Sequence, residues 1–471
     1  MTEACELLVN ARNSRGLLLF GVLVLFVPVA ASSIELPGAK ECFACHADRD
    51  LKREAPAARR SLSVFVDEAV LSGSVHRGLE CVACHKTATA PHEGRLAAVR
   101  CAECHAKSGA ALREGVHGGP RAHARAPTPT CAGCHGTHAV TRAASLGGET
   151  CATCHTAQVN AYKESIHARS RRTGNSQAAT CGSCHGEAHS LLAKTDARSP
   201  TYHLNLPRTC ARCHADPEIA ERYKIPVANV YQLYMDSIHG KAVARSGLLV
   251  AAVCSNCHGA HDIRPRNDST SRVHRTNVPQ TCGGCHAGVL AVWGESIHGR
   301  EARAGNPAAP VCIDCHTAHE IRRVEAEAWK LEIVRECGNC HAESLRTYRD
   351  TFHGQVTALG FARVARCSDC HGAHEILRAT DSRSRVNPAN LVVTCRTCHP
   401  AANANFVKYD PHADPENRGR SPLLYYAARF MTWLLVGTFA FFGLHTVLWG
   451  VRALVAKRRG EAPPSEPEEP A

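Results

Sequence analysis

Cys-x-x-Cys-His occurs thirteen times between Cys42 and His399, and no other feature of the sequence restricts the fold so tightly. The first cysteines are Cys42, Cys81, Cys101, Cys131, Cys151, Cys181, Cys210, Cys254, Cys282, Cys312, Cys337, Cys367 and Cys395. The second are Cys45, Cys84, Cys104, Cys134, Cys154, Cys184, Cys213, Cys257, Cys285, Cys315, Cys340, Cys370 and Cys398. The copies close on His46, His85, His105, His135, His155, His185, His214, His258, His286, His316, His341, His371 and His399, and they use every one of the 27 cysteines except Cys5. Two thiols one helical turn apart can add to the two vinyl groups of one haem while the adjacent imidazole reaches its iron, so the pattern reads as a covalent haem site. Zinc ribbons also use Cys-x-x-Cys pairs, but zinc has no need of a histidine directly after the second cysteine. Every copy has one, in a chain with 30 histidines among 471 residues, and a disulfide framework fails on the same ground. The sequence therefore predicts thirteen haem c groups.

Aromatic residues make up only 5% of the chain, which leaves a conventional apolar core poorly supplied. Haem contacts are expected to take its place. The fold class that follows is mainly α with extensive loops: a multihaem array of short helices wrapped on haems, with little or no β. The formal charge of +12 would by itself suggest nucleic acid or anionic lipid as a partner. Two propionates per haem carry the total to about −14 with ferrous irons and about −1 with ferric ones, so nucleic acid is dropped as a partner. Many lysines and arginines are instead expected to face propionates.

The copies are of two kinds. In one, another histidine follows closely, as at His135 and His138, His258 and His261, His316 and His319, and His371 and His374. The other is preceded by Thr-Cys and followed by a short helical pattern that ends in Ser-Ile-His, at His167, His239 and His298, with variants at His117 and His353. Like copies recur at Cys81, Cys131 and Cys181 and again at Cys312 and Cys367, which marks an internal two-haem repeat with one extra haem at the N-terminal end. Outside the motifs, His76, His117, His167, His239, His298, His353 and His412 follow the second kind, while His92, His138, His189, His261, His319 and His374 follow the first. These two sets supply one further axial ligand per haem, and His123, His203, His274 and His445 are left over. A histidine three residues past a motif is too close to reach the far side of the same iron, so the first-kind set is expected to ligate other haems. Met1, Met235 and Met431 are the only methionines, which points to bis-histidine haems of low potential.

The ends of the chain place this array. Arg12, Arg15, an apolar run from Gly16 to Val27 and small residues at Ala30 and Ala31 read as a signal peptide over 1–31, short for a membrane anchor. The haem region is then 32–420. From 423 to 456 the chain is strongly apolar, with Tyr425, Tyr426, Trp433 and Trp449 toward its ends and Lys457, Arg458 and Arg459 just after it. That reads as one transmembrane helix with its basic end in the cytoplasm, followed by a Pro- and Glu-rich disordered tail over 457–471. His445 lies inside the span, about 24 Å along a helix from Arg429, and is a candidate ligand for a heme b shared with a membrane partner.

With its motifs running from Cys42 to His399 and its apolar C-terminal segment, the chain resembles the membrane-anchored multihaem c-type cytochromes of respiratory bacteria. The resemblance implies electron transfer at the periplasmic face of the bacterial inner membrane. It would link a membrane cytochrome b or quinol-oxidising subunit to periplasmic redox proteins or outer-membrane acceptors. The chain departs from the tetrahaem quinol dehydrogenases in its C-terminal anchor and its larger haem number, which puts direct quinol oxidation in doubt. An electron carrier and not an enzyme is expected. The rival class, a periplasmic nitrite or hydroxylamine oxidoreductase, needs an open haem site, often announced by Cys-x-x-Cys-Lys, and the sequence contains no such motif.

Overall fold

Each motif begins in a helical turn, and in nine copies the residue after its histidine marks where the chain goes next. Cys131–His135, Cys181–His185, Cys254–His258, Cys312–His316 and Cys367–His371 are five-residue α-helices in a computed structural model that describes residues 39–55, 60–89, 92, 96–119, 128–142, 148–227 and 229–460. In four of them a glycine follows, Gly136, Gly186, Gly259 or Gly372, at φ of 78°, 88°, 84° and 86° with ψ near 180°. Only glycine occupies that region without strain, and there the chain leaves the helix. In the second kind of copy Ala106, Thr156, Ala287 or Ala342 stands in this place. The chain re-enters helix at once, over Ala106–Glu114, Thr156–Lys163, Ala287–Glu295 and Ala342–Arg349.

Thr317 is the exception, since it holds the glycine position at φ 62° and ψ −177°. A β-branched residue there costs about 1–3 kcal/mol. Thr317→Gly is expected to stabilise the protein by about 1 kcal/mol once the glycine's larger unfolded-state entropy is deducted, as measured by denaturant unfolding of the haem-loaded protein.

The Ser-Ile-His segments differ from the sequence expectation in one respect. Their histidines do not end the preceding helix but sit in the first turn of the next, over Ile166–Arg172, Ile238–Ser246, Ile297–Arg303 and Phe352–Ala358. The cause is the serine, or threonine in the last copy, which acts as an N-cap. Ser165, Ser237, Ser296 and Thr351 are buried and accept from the N–H groups of Ala168, Gly240, Gly299 and Gly354.

Strand is confined, among the described residues, to an antiparallel hairpin of Lys52–Ala55 and Arg60–Ser63. Among the described residues the buried apolar ones are mostly valine and alanine, and a cluster of them joins Val243, Ala251 and Val253 under Leu204 and Leu206. The chain divides into two compact units, one of Met1–Cys104 with Thr130–Leu146 and one of His105–Pro129 with Gly147–Ala471. The expected signal peptide with Cys5, His123 and residues 461–471 lie outside the described residues.

The last element is a single 38-residue helix, Pro422–Arg459, with no buried residue and a mean hydropathy of 1.7 in its apolar window. It is long and apolar enough to cross a membrane. It continues past the expected end at 456 through Lys457, Arg458 and Arg459, where three cations complement the C-terminal dipole, and stops at Gly460 in the left-handed conformation. These three residues therefore belong to the helix and not to the tail.

Candidate haem-ligand sites

Two local devices hold the motifs in place. Before Cys210, Cys282 and Cys395 the chain repeats a clamp of Ser, Asn and Thr. Ser199, Ser271 and Ser384 are buried, with hydroxyls donating to the carbonyls of Leu192, Arg264 and Leu377. The amides of Asn205, Asn277 and Asn390 each bridge two carbonyls, among them those of the same three serines. Thr209, Thr281 and Thr394, one residue before the first cysteine, donate to Pro200, Arg272 and Arg385 at 2.7–2.8 Å. The second device joins repeats. The N–H groups of Val75, Val116, Ile166, Ile238 and Ile297 each donate at 2.8 Å to the carbonyl of Val140, Leu191, Ile263, Ile321 or Ile376 in turn. Each donor immediately precedes a second-kind histidine and each acceptor lies two residues past a first-kind one, so the two histidine sets are tied together by backbone.

Among the described residues, motif histidines face histidines from outside the motifs in eleven pairs, with ring centres 6.0–6.3 Å apart. The first kind pairs forward along the chain: His46 with His92, His85 with His138, His185 with His261, His258 with His319, His316 with His374 and His371 with His412. The second pairs backward: His155 with His117, His214 with His167, His286 with His239, His341 with His298 and His399 with His353. His412, grouped with the second kind by its place in the sequence, thus stands in the first series, and the N-terminal His46 joins that series through His92. His76, His105, His135 and His189 complete the predicted set, and none of them lacks an interaction partner.

This spacing fits one metal ion between two imidazoles. With metal–nitrogen bonds of roughly 2.0–2.1 Å and each ring centre about 1 Å behind its nitrogen, the two centres should lie about 6 Å apart. The second ring nitrogen is engaged where the structure shows a partner: His46 Nδ1 donates to the Val64 carbonyl at 2.7 Å, and His412 Nδ1 lies 3.0 Å from the Thr347 hydroxyl. Such bonds fix the tautomer and leave Nε2 free for a metal. Burial lowers the basicity of most of these imidazoles, and His258 is pushed down to about 4 by burial and by His319. Where burial lowers the basicity, the neutral form that ligation requires is favoured.

The cysteines adjoin in chain order. The thiols of Cys81 and Cys42, Cys101 and Cys131, Cys151 and Cys181, Cys210 and Cys254, Cys282 and Cys312, and Cys337 and Cys367 are close enough to perturb one another's ionisation. Cys84 lies beside Cys101, Cys184 beside Cys210, Cys257 beside Cys282, Cys315 beside Cys337 and Cys370 beside Cys395. None of the described cysteines is in a disulfide. No cluster of three or more His, Cys, Asp or Glu converges among the described residues, as a zinc ribbon would require.

Residues 49–155 match the model of the class III cytochrome C family. This stretch is similar to the multihaem cytochromes c. No curated protein and no solved structure matches the chain. Beyond residue 155 the chain repeats the same motif and the same ring spacing through Cys395, and the family match supports electron transfer by covalent c-type haems.

Some residues of these sites escape a reading of the motifs alone. Trp329 stacks on His316 at 5.6 Å with planes 8° apart, and Phe406 lies 5.0 Å from His399. The Ser-Asn-Thr clamp was visible as a period in register with Cys210, Cys282 and Cys395, whereas Trp329 had no counterpart in other repeats to reveal it. Of the leftover histidines, His203 bonds the Ala251 carbonyl at 2.8 Å and His274 the Thr276 hydroxyl at 2.8 Å, both structural roles. His445 lies on the apolar helix and is exposed.

Proposed function

We propose that the chain is an electron conduit of thirteen covalent c-type haems, one per motif, each held between two histidines and used in sequence order within each unit. The observation that carries this reading is the proximity of thiols of successive motifs within each unit, close enough to perturb one another. Each thiol marks an edge of the group it holds, so groups held by consecutive motifs are neighbours. Bound haem supplies reversible one-electron iron chemistry. The chain's own residues fix everything around it. The cysteines would hold the group, the paired imidazoles would ligate its iron and keep the potential low, and the backbone bonds between histidine sets hold neighbouring sites at constant orientation.

The helix Pro422–Arg459 anchors the conduit, with Lys457, Arg458 and Arg459 on the cytoplasmic side and the haem region on the periplasmic face of the bacterial inner membrane. His412, ten residues before Pro422, places the site it shares with His371 next to the anchor in sequence. A membrane cytochrome b or quinol-oxidising subunit is the donor at this end, and periplasmic redox proteins or outer-membrane components are the acceptors. His445 is the residue of this chain able to ligate a heme b shared with that donor.

Intact-mass measurement of the mature protein is expected to show thirteen haem increments that survive acid–acetone extraction, with the absorption of a reduced c-type chromophore. A smaller number of increments overturns the count. Extractable haem overturns covalent attachment.

A further inference from the structure

The five second-kind pairs share a construction in which the residue just after the non-motif histidine meets the end of the preceding helix. That residue is glycine four times, Gly118, Gly240, Gly299 and Gly354, and alanine once, Ala168. A methyl group at any of the four glycines would overlap a backbone carbonyl oxygen, that of Leu112, Tyr234, Trp293 or Tyr348. Backbone therefore touches backbone there, and the ring planes of the four pairs are inclined at nearly one angle: 39° for His117 and His155, 41° for His239 and His286, 37° for His298 and His341, and 40° for His353 and His399. At Ala168 a buried methyl occupies this junction. The cap bond from its N–H to Ser165 is 3.2 Å, against 3.0 Å at Gly240 and Gly299 and 3.1 Å at Gly354, and the planes of His167 and His214 stand 62° apart. The serine does not explain the difference, because Gly115 takes its place before His117 and the angle there is still 39°.

We propose that Ala168 is a positioning residue whose methyl group turns the His167 imidazole away from the orientation that glycine permits, giving the metal site of His167 and His214 an axial-ligand geometry distinct from its neighbours. This rests on the reading of the ring pairs as axial ligands. Imidazole planes that are near parallel donate π density into the same iron d orbital and split it from its partner. Planes at a large angle donate into two different orbitals and leave them close in energy. The ferric state then gives a low-spin resonance with an unusually large maximum g value, and it is less stabilised, so the site is easier to reduce than the glycine-type sites around it. The chain thereby places a resting point for the electron at the Cys210 site.

Electron paramagnetic resonance of the oxidised, full-length, haem-loaded protein tests this against Ala168→Gly, a change to the residue that the other four repeats carry. The expected result is loss of one haem's share of the large-g signal, a matching gain in the less anisotropic signal, and an unchanged total of low-spin iron and of haem mass. Redox titration should show one haem moving to lower potential. Superimposable spectra overturn the role of Ala168 while leaving the ligand pairs intact. A ferric high-spin signal amounting to one haem or more in the unaltered protein instead overturns the ligand reading and this inference with it.

Discussion

Replacing His319 with methionine is expected to raise the potential of a single haem by on the order of 0.1 V or more, and the haem affected should be the one bound at Cys254 and Cys257. The direction follows from ligand chemistry, since a thioether donates less to ferric iron than imidazole does. The location is what the structure adds. His319 lies three residues past His316 and belongs by sequence to the Cys312 copy, yet its ring faces His258 at 6.1 Å with planes 5° apart. A spectropotentiometric titration of His319→Met should therefore show one high-potential step. That step should vanish when Cys254 and Cys257 are also changed to Ser and persist when Cys312 and Cys315 are changed instead. The reverse pattern would mean that the first-kind histidines serve their own motifs and that the forward pairing is wrong.

That pairing shows where the sequence was sufficient and where it was not. The attachment sites were legible because the chemistry is local: thiol, thiol and imidazole fall within five residues, and nothing else asks for them in that order. The second-ligand candidates were legible as two sets for the same reason, as periodic histidines in excess of any other need. Their partners were not. His167 lies 12 residues after His155 and 47 before His214, and it pairs with the more distant one. What decides this is the direction of the chain after each motif, set by a glycine that turns it out of helix, as at Gly259, or an alanine that lets helix continue, as at Ala287. That position sorts most copies, with Ala47, Lys86 and Thr317 departing from it in the first series and Pro400 in the second, and the ring pairing with His371 assigns His412 where its sequence neighbourhood misled. The helix break at Ser237 or Ser296 was equally open to a reading by capping rules, but the histidine pattern drew attention to the ligand and not to the residue two positions earlier.

The clamp and the cross-repeat bonds also explain how so few apolar residues hold the chain. Val243, Ala251 and Val253 form a cluster too small to fix long loops. Order comes instead from buried hydroxyls and amides that saturate loop carbonyls, since a buried carbonyl left unpaired costs more than a hydrogen bond returns. The Ile297 N–H to Ile376 carbonyl bond sits beside His298 and two residues past His374, so displacing one histidine strains the other. Neighbouring sites are mechanically coupled through this backbone contact.

Gly299→Ala should expose that coupling with a large effect. An added methyl would overlap the carbonyl oxygen of Trp293, and it would also lie 2.8 Å from the Trp293 carbonyl carbon and 2.9 Å from Gly294 Cα. All three are backbone atoms, which cannot swing aside as a side-chain end can. The overlap falls on the cap itself, where Ser296 accepts from Gly299 N–H at 3.0 Å and donates to the Trp293 carbonyl at 2.6 Å. Overpacking of about 1–3 kcal/mol and loss of a cap worth about 1 kcal/mol together predict local destabilisation of about 2–4 kcal/mol. The chain relieves it by moving the start of the helix Ile297–Arg303, and His298 moves with it, away from His341. Ala168 shows that a methyl is accommodated when a whole repeat has adapted to it; Gly299 stands in a repeat that has not. The variant is expected to show a ferric high-spin signal of up to one haem that added imidazole converts back to low spin. Full haem mass should be retained, because Cys337 and Cys340 still hold the porphyrin at that site. A spectrum with no high-spin component and unaltered unfolding would mean that the helix junction yields freely, and that the glycine is not what keeps His298 opposite His341.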